Sequence, residues 1–411
     1  MNEPLPISWT SASLGDLVSD VQIGTVERGA THSPTVMLLK MGNLTWGGFS
    51  LEEVECISED LLDGERHIVR YGDLLVNTRN TPGLVGKSAV WSGSGQYAFD
   101  NNIARIRLRD CDPFYVGIWL SSDLGRRRLR ALAAASTSVA AIYWDTLKRL
   151  ALPMPPIAEQ RRIVAVLCAW DRAITTATNL SRARRRRFDA ARQSLLESRQ
   201  IARAGENEWR PIEFAELTSE LTGRNAERLG PDRVMGVLKS EGLVPMRAHV
   251  MATDLRRYKV VPTGAFAYNP MRLNIGSIAV SEHSDNVLVS PDYIVFEARR
   301  SVADPNFLRF FVGTKKWRDH LALAGSGSVR TRIYYDNLAE MVLRIPSLEE
   351  QRKIGTMLMA LKDDVAASEA TLNGLRQQKR ALMQKLLTGE WRLDERFDPV
   401  ALQPGVGEAA A

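Results

Sequence analysis

The feature that most constrains the fold of this chain is an internal repeat at one fixed separation. The segment 142–147, IYWDTL, returns at 333–338 as IYYDNL, and the segment 155–163, PPIAEQRRI, returns at 346–354 as PSLEEQRKI. Both pairs keep an offset of 191 residues, from 142 to 333 and from 163 to 354, so no gap lies between them. The chain is therefore a tandem duplication, and its two copies should fold alike.

Further matches extend the repeat upstream, with slips in the offset. They are Asp112-Pro113 with Asp304-Pro305, residues 72–77 with 264–269, and Trp9 with Trp209. Each copy then has a globular part of about 150 residues followed by a helical part. We expect a first globular domain at 1–152, a central long helix at 153–200, a second globular domain with a short polar linker at 201–344, a distal long helix at 345–392 and a tail at 393–411.

Each globular copy mixes strand-like and helical stretches. Short β-rich runs occur at 73–79, 103–108 and 293–297, where apolar and β-branched residues are concentrated. The Asp-Pro pairs that begin at 112 and 304 have the residue types of a helix N-cap followed by proline in the first turn. We therefore predict a mixed α/β (α+β) class for both copies.

The helical segments carry a heptad seam, in which seam residues recur at alternating steps of four and three. The second helix repeats the seam of the first in the same register. The seam positions are Ile163, Leu167, Trp170, Ile174, Ala177, Ser181, Arg184, Phe188, Ala191 and Leu195, and then Ile354, Leu358, Leu361, Val365, Ser368, Leu372, Leu375, Lys379, Leu382 and Leu386. Two long helices with matching seams should pack on each other as a coiled coil.

Each of these helices should be far longer than a typical globular helix. A helix of about 40 residues spans roughly 60 Å at 1.5 Å per residue, and a rod of that length can hold two domains apart. The alternative is a pair of independent amphipathic helices, each lying on its own domain. Four polar seam residues favour that alternative, namely Ser181, Arg184, Ser368 and Lys379.

The order of these parts resembles the specificity subunit of Type I restriction-modification enzymes, in which a globular domain and an I-P-x-L-x-E-Q-R-x-I motif opening a heptad helix occur twice. The motif stands at 152–163 as LPMPPIAEQRRI and at 343–354 as LRIPSLEEQRKI. The segment 386–391, LLTGEW, is similar to the family's helix ending. The likeness covers nearly the whole chain, and Ala158 departs from it where an acidic residue is common.

In that family each globular part is a target-recognition domain that reads one half of a split, asymmetric DNA sequence, and the helices form an antiparallel coiled coil. The resemblance implies this geometry here, with helix length setting the unread spacer between half-sites. It also implies docking of two modification subunits, which bring S-adenosylmethionine and methyl transfer. The sequence leaves open whether restriction subunits join as well. Catalysis would then belong to the partners, and this chain should hold no cofactor of its own.

Composition and motifs agree with a binding protein. The formal charge of +6 and the pI near 9.2 favour a polyanionic partner such as double-stranded DNA. The sequence has no phosphate-binding loop and no zinc-protease motif. Cys56, Cys111 and Cys168 lack metal-ligand spacing, and we expect them to be small buried hydrophobes. The start MNEPLPISWT does not resemble a signal peptide and no apolar run is long enough for a membrane span, so we expect a cytoplasmic protein.

Candidate DNA-contacting residues lie in loops that join strands of the repeat. Arg can pair with guanine and Asn with adenine, whereas hydroxyl and guanidinium groups suit phosphates. The sequence leaves open that Asn and Arg beside Pro and Gly only cap turns. The candidates are Asn77, Thr78, Arg79, Asn80, Ser136, Thr137 and Ser138 in the first copy and Asn269, Arg272, Asn274, Ser328, Arg330 and Arg332 in the second.

Candidate docking and coiled-coil residues lie where each helix begins. They are Glu159, Gln160, Ile163, Leu167, Ile174, Glu350, Gln351, Ile354, Leu358 and Leu361. The arginine run at 182 and 184–187 is either a solvated face or a contact for DNA phosphates or an acidic modification subunit. The other function that the sequence allows is a coiled-coil scaffold that holds proteins together without sequence-specific DNA binding.

Overall fold

The computed structural model of the chain describes residues 5–30, 34–135, 139–197, 209–226, 228–239, 241–247, 251–324 and 332–398. Two compact units make up the chain. The first unit combines residues 1–176 with 372–411, and the second unit comprises residues 177–371. Each unit thus takes one globular copy of the repeat together with part of both long helices.

The first unit contains twelve described strands. They are β1 (Thr10–Ser13), β2 (Val18–Ile23), β3 (Thr35–Leu39), β4 (Glu55–Ser58), β5 (Leu74–Asn77), β6 (Arg79–Asn80), β7 (Ser88–Val90), β8 (Tyr97–Phe99), β9 (Ile103–Leu108), β10 (Ala134–Ala135), β11 (Ala140–Ala141) and β12 (Ala151–Met154). Its helices are α1 (Pro113–Ser121), α2 (Asp123–Leu132), α3 (Trp144–Leu147) and the first half of α4 (Ile157–Leu196). These elements give the unit a mixed α/β class, as the sequence predicts.

A four-stranded antiparallel sheet with the order β2-β9-β5-β7 forms the centre of the first unit. Side chains alternate across β5, so that Leu74 and Val76 enter one apolar core and Leu75 enters another on the opposite face. Trp119 of α1 packs in the first of these cores. The sheet is therefore covered on both faces, which explains why β5 is buried along its whole length.

The second unit contains ten described strands. They are β13 (Arg210–Glu213), β14 (Thr218–Glu220), β15 (Met235–Leu238), β16 (Gly242–Pro245), β17 (Lys259–Val261), β18 (Phe266–Tyr268), β19 (Ile278–Val280), β20 (Val287–Val289), β21 (Ile294–Ala298) and β22 (Val342–Ile345). Its helices are the second half of α4, α5 (Phe214–Leu217), α6 (Pro305–Phe311), α7 (Lys315–Ala324), α8 (Tyr335–Ala339) and the first part of α9 (Leu348–Thr388). The last part of α9 belongs to the first unit.

The second unit repeats the architecture of the first. Its central sheet has the order β14-β21-β18-β19, in which each strand takes the place of β2, β9, β5 or β7. The side chains of β18 alternate in the same way, with Phe266 and Tyr268 in one core and Ala267 in the other. Strand β22 pairs with β13 as β12 pairs with β1. The duplication read from the sequence is therefore a duplication of structure.

The Asp-Pro pairs begin helices in both units, as predicted. The Asp112 carboxylate accepts from the Phe114 backbone N–H at 2.9 Å, and the Asp304 carboxylate accepts from the Phe307 N–H at 2.9 Å. These bonds satisfy backbone donors that have no partner within the helix. Gly355 of α9 lies against the second of these caps, where an added Cβ would come within 2.5 Å of the Asp304 carboxylate oxygen. Glycine there allows the close approach of α9 to α6.

The two long helices are α4, with 40 residues, and α9, with 41. Their seams are confirmed, because all ten predicted positions on each helix are buried or half-buried. Helix α4 contains no glycine or proline, and α9 ends at Thr388 just before Gly389, whose φ of +79° suits a helix C-cap.

Within the first unit the two helices pack antiparallel. Ile163, early in α4, shares an apolar core with Leu386 at the end of α9. Further along α4, the Asp171 carboxylate accepts from Lys379 Nζ at 2.5 Å. Residue numbers rise along α4 where they fall along α9, so the two helices are antiparallel in this unit. Their contact excludes the alternative of two independent helices.

Within the second unit the direction is the same. Arg184 Nη1 lies 3.0 Å from a carboxylate oxygen of Asp364. Leu196, at the end of α4, shares an apolar core with Ile354 and Leu358 at the start of α9. The polar seam residues do not prevent the two helices from packing. Arg184, for example, is half-buried in this ion pair.

The cysteines are free thiols, and one of them differs from expectation. Cys111 and Cys168 are half-buried, and burial raises the pKa of both thiols, that of Cys111 to about 12. Cys56 is exposed on β4, so the prediction of a buried hydrophobe is wrong there. Among the described helices, none combines the length and apolar character needed to cross a bilayer.

Candidate nucleic-acid interface and helix starts

The candidate loop of the first unit follows β5 and contains one residue that the structure removes as a base reader. Asn77 is fully buried, and its amide donates to the Asn102 carbonyl at 3.1 Å and accepts from Asn80 Nδ2 at 2.9 Å. A side chain with no exposed surface and both amide atoms engaged cannot reach a base edge. Asn77 therefore holds the loop in shape in this structure, whereas the sequence predicts it as a DNA contact.

The neighbours of Asn77 divide into supporting and exposed residues. The Thr78 hydroxyl donates to the Asn102 carbonyl at 3.1 Å, and the Asn80 amide oxygen accepts from the Thr81 backbone N–H at 2.8 Å. Both side chains are half-buried. Arg79 is exposed and, within the described residues, its guanidinium makes no hydrogen bond or ion pair. Of the four candidates in this loop, Arg79 has the geometry of a ligand contact.

Arg79 lies at a cleft of about 480 Å³ in the first unit. The cleft is lined by apolar, aromatic and neutral polar side chains, and Arg79 is the one charged residue among the described residues that line it. Its wall includes Thr78, Asn101, Tyr143 and Trp144. A cation beside aromatic rings, without a carboxylate to neutralise it, suits an anionic ligand.

The corresponding loop of the second unit follows β18. The Asn269 carboxamide oxygen accepts from the Met271 backbone N–H at 2.9 Å, so this residue closes an Asx turn. This agrees with the alternative that an Asn beside Pro caps a turn. Arg272 and Asn274 are exposed and their side chains make no hydrogen bond within the described residues. These two side chains are available to a ligand, whereas Asn269 is committed to the turn.

Arg332 precedes the repeated segment of the second unit. It is exposed, and its Nη1 donates to the Tyr334 hydroxyl at 3.4 Å. This hydrogen bond, with help from the more distant Asp292 carboxylate, raises the pKa of Arg332, so its charge is secure. Five other candidates, Ser136, Thr137, Ser138, Ser328 and Arg330, lie outside the described residues.

The glutamine of the E-Q-R motif is a structural clamp in both units. The Gln160 amide donates to the Pro155 carbonyl at 2.8 Å and accepts from the Asp112 N–H at 2.8 Å. Gln351 likewise donates to the Pro346 carbonyl at 3.1 Å and accepts from the Asp304 N–H at 3.0 Å. Both glutamines are buried, at 2% and 1% exposure. They join each long helix to the adjacent Asp-Pro turn.

The glutamate of the motif differs between the units. Glu159 is buried, accepts from the Trp9 indole N–H at 3.1 Å and pairs with Arg392, whose Nη2 lies 2.6 Å from its carboxylate. It links Trp9, the start of α4 and the segment after α9. Glu350 is half-buried, and its backbone N–H donates to the Ser347 hydroxyl at 3.4 Å.

The remaining candidates on the helices belong to the seam. Ile163, Leu167, Ile354 and Leu358 are buried, and Ile174 and Leu361 are half-buried. All six therefore lie in the seam between the two helices. In the arginine run, Arg184 pairs with Asp364 and Arg185 with Glu369, while 182, 186 and 187 are exposed.

Sequence reasoning missed a second cleft, of about 870 Å³, in the second unit. Arg309 and Lys362 line it, and both donate to the Glu282 carboxylate, at 2.7 and 2.6 Å. The hydrogen bond from Lys362 holds the pKa of Glu282 below its usual range. The Glu282 carboxylate offsets only one of these two positive charges, and the wall also contains Lys239, Arg318 and the acidic Glu241. Only tertiary structure brings these residues together, so no sequence signal marked the cleft.

Comparisons with known proteins agree with the architecture. The chain is 20% identical over 381 residues to the type I restriction enzyme MjaX specificity subunit of Methanocaldococcus jannaschii, a match that covers 84% of this chain and 88% of that protein. It is 26% identical over 145 residues to the type I restriction enzyme HindI specificity subunit of Haemophilus influenzae, which covers 34% of this chain and 30% of that protein. No family model matches the sequence.

Solved structures show the same fold. The S subunit of a Type I restriction-modification system from M. genitalium superposes with a TM-score of 0.59 at 15% identity, over 94% of this chain and 97% of that one. A chain from a study of complex assembly and conformational transition in a type I R-M system gives a TM-score of 0.55 at 18% identity, over 95% and 100% of the two chains.

Proposed function

Because the chain shares the fold of Type I specificity subunits and their sequence pattern along nearly its whole length, we propose that it is the DNA-specificity subunit of a Type I restriction-modification complex. Each unit binds one half of a bipartite, asymmetric DNA target. The observation that carries the proposal is the duplicated α/β unit, each copy with exposed arginines beside its repeated Ile-Tyr segment and each joined to a seam helix.

The partners follow from the same proposal. Two modification subunits dock on the outer faces of α4 and α9, and they bring S-adenosylmethionine and the methyl-transfer chemistry. The chain itself binds DNA and performs no catalysis.

Methylation mapping tests the proposal directly. The chain is expressed with its modification partner in cells that lack other methylation, and the modified positions in genomic DNA are sequenced. We expect one bipartite sequence with two fixed half-sites and an unread spacer. Methylation that depends on the partner alone, or that is absent whenever both subunits are present and assembled, would contradict it.

A coiled-coil protein scaffold is the other candidate, and the match to named specificity subunits does not favour it. Salt dependence separates the two functions. Binding through several phosphates releases counterions and weakens steeply as salt rises, whereas an apolar protein interface changes little. We expect the steep dependence for the purified chain with duplex DNA.

A further inference from the structure

An exposed tyrosine occupies the same repeat position in both units. Tyr143 and Tyr334 are the second residues of the segments IYWDTL and IYYDNL. Their side chains are 61% and 47% exposed, whereas the preceding Ile142 and Ile333 are buried. An aromatic ring in water forgoes the stabilisation that its burial would give. Neither tyrosine side chain is part of its unit's core, so the repeated residue is available for a ligand.

The backbone fixes each tyrosine beside the candidate loop of its unit. In the first unit the Ile142 N–H donates to the Thr78 carbonyl at 2.9 Å. In the second the Ile333 N–H donates to the Pro270 carbonyl at 3.1 Å. Ile142 and Ile333 are themselves anchored in the apolar cores. The tyrosines are therefore held in equivalent places on rigid supports.

Each tyrosine also has a basic neighbour. Tyr143 and Arg79 line the same cleft of the first unit, whose described lining contains no carboxylate. In the second unit Arg332 donates to the Tyr334 hydroxyl, and the exposed Arg272 lies in the adjoining loop. The arginines of the two units occupy different positions of the repeat, whereas the two tyrosines occupy the same position. The combination of an aromatic ring with an arginine favours a nucleic acid.

We infer that Tyr143 and Tyr334 are equivalent DNA contacts, which bind the sugar-phosphate backbone of the two half-sites through the phenol hydroxyl and the ring face. This rests on the proposed function, in which the two units read different sequences. A residue type shared at one position by both units cannot distinguish those sequences. It binds what all half-sites have in common, namely phosphate and deoxyribose. Base reading then falls to residues that differ between the units.

The test uses the full chain assembled with its modification subunits and a fluorescent duplex that carries the mapped target. Equilibrium affinity is measured by anisotropy for that duplex and for a scrambled one. The variants are Tyr143→Ala and Tyr143→Phe, with the same two changes at Tyr334. Tyr71→Ala is the matched control, because Tyr71 is 73% exposed in the first unit and lies outside the cleft, with its ring 5.4 Å from that of Phe114.

We expect each alanine variant to weaken binding to both duplexes by the same factor, about 5- to 20-fold, through loss of the hydroxyl bond and of ring contact. The phenylalanine variants should lose about 2- to 5-fold, since they keep the ring. The methylated sequence should stay unchanged. Arg79→Ala should lower the slope of log affinity against log salt by about one, as expected for a lost phosphate contact.

Four outcomes would overturn the inference, the last of them together with the proposed function. One is an affinity of Tyr143→Ala equal to that of Tyr71→Ala, and another is a changed half-site sequence, which would make the tyrosine a base reader. If the wild-type complex binds and methylates its target but both alanine variants do so equally well, the inference alone fails. If the assembled wild type shows no preference for any sequence, the proposed function fails with it. Thermal unfolding of each variant verifies that folding is retained.

Discussion

Replacing Leu358 by aspartate places a carboxylate where the seam of α9 is completely buried. Leu358 has 0% exposure and shares the core of the second unit with Ile354 and with Leu196 of α4. The cluster around Leu358 also includes the apolar side chains of Phe307 and Leu343. The new carboxylate would be desolvated without a partner, so it should either take up a proton or force the helices apart.

The size of the effect follows from two contributions. Truncation of a fully buried leucine to alanine costs about 2–5 kcal/mol, and an unpaired buried charge adds several kcal/mol. Domain stabilities are about 5–15 kcal/mol, so Leu358→Asp should unfold the second unit or leave it marginal. Leu358→Ala, at about 3 kcal/mol, should lower the melting temperature of that unit by about 6–12 °C.

The assay is thermal unfolding by circular dichroism, followed by gel filtration with the modification subunits. Met357→Asp is the matched control, since Met357 is the preceding residue of α9 and is 49% exposed, and it should shift stability by at most about 0.5 kcal/mol. Leu167, the repeat counterpart of Leu358, is also 0% exposed, so Leu167→Asp should be equally damaging in the first unit. A Leu358→Asp protein that melts like Met357→Asp and still assembles would refute the seam.

Three further predictions rest on the duplication. Exchanging residues 1–152 for the first domain of another specificity subunit should change one half-site in methylation mapping, and a change in both would contradict independent reading. Gln160→Leu should lower the free energy of unfolding by about 2–4 kcal/mol, because the Asp112 N–H and the Pro155 carbonyl lose their partner. Gln193 is exposed on the same helix, so Gln193→Leu is the control and should change the melting temperature little. One heptad inserted after residue 176 of α4, together with one after residue 371 of α9, adds roughly 10 Å to each helix. The mapped spacer should then become longer by about three base pairs. An unchanged spacer in a folded protein would argue against helix length as its determinant.

The periodic parts of the fold could be predicted from the sequence because their signals are local. The seams, the Asp-Pro helix starts and the matching positions of the two copies all depend on residues close together in the chain. The strands β3, β4 and β8 had no such signal. They pair across long separations, as Met37 does with Tyr97 in a parallel register, and no short pattern specifies such a partner.

The candidate site was predicted less well, and for one physical reason. The sequence identifies polar residues in a loop, but burial decides whether they face solvent or hold the loop. Asn77 and Gln160 appeared to be available groups, yet their partners are Asn102 and Asp112, which lie 25 and 48 residues away. The alternative that Asn residues only cap turns is correct for Asn269, whose partner is two residues away.

Because the chain contains two copies of one unit, residue roles that both copies share can be distinguished from roles that belong to one copy. Gln160 and Gln351 match and are buried, and both clamp a helix to an Asp-Pro turn, so this match serves the fold. Tyr143 and Tyr334 match but are exposed, so the same reasoning gives them a function common to both units. The exposed residues that differ and are not phosphate contacts, such as Asn274, are then the ones left to distinguish two half-sites. Specificity should therefore follow exposed differences between the copies, and affinity should follow exposed identities.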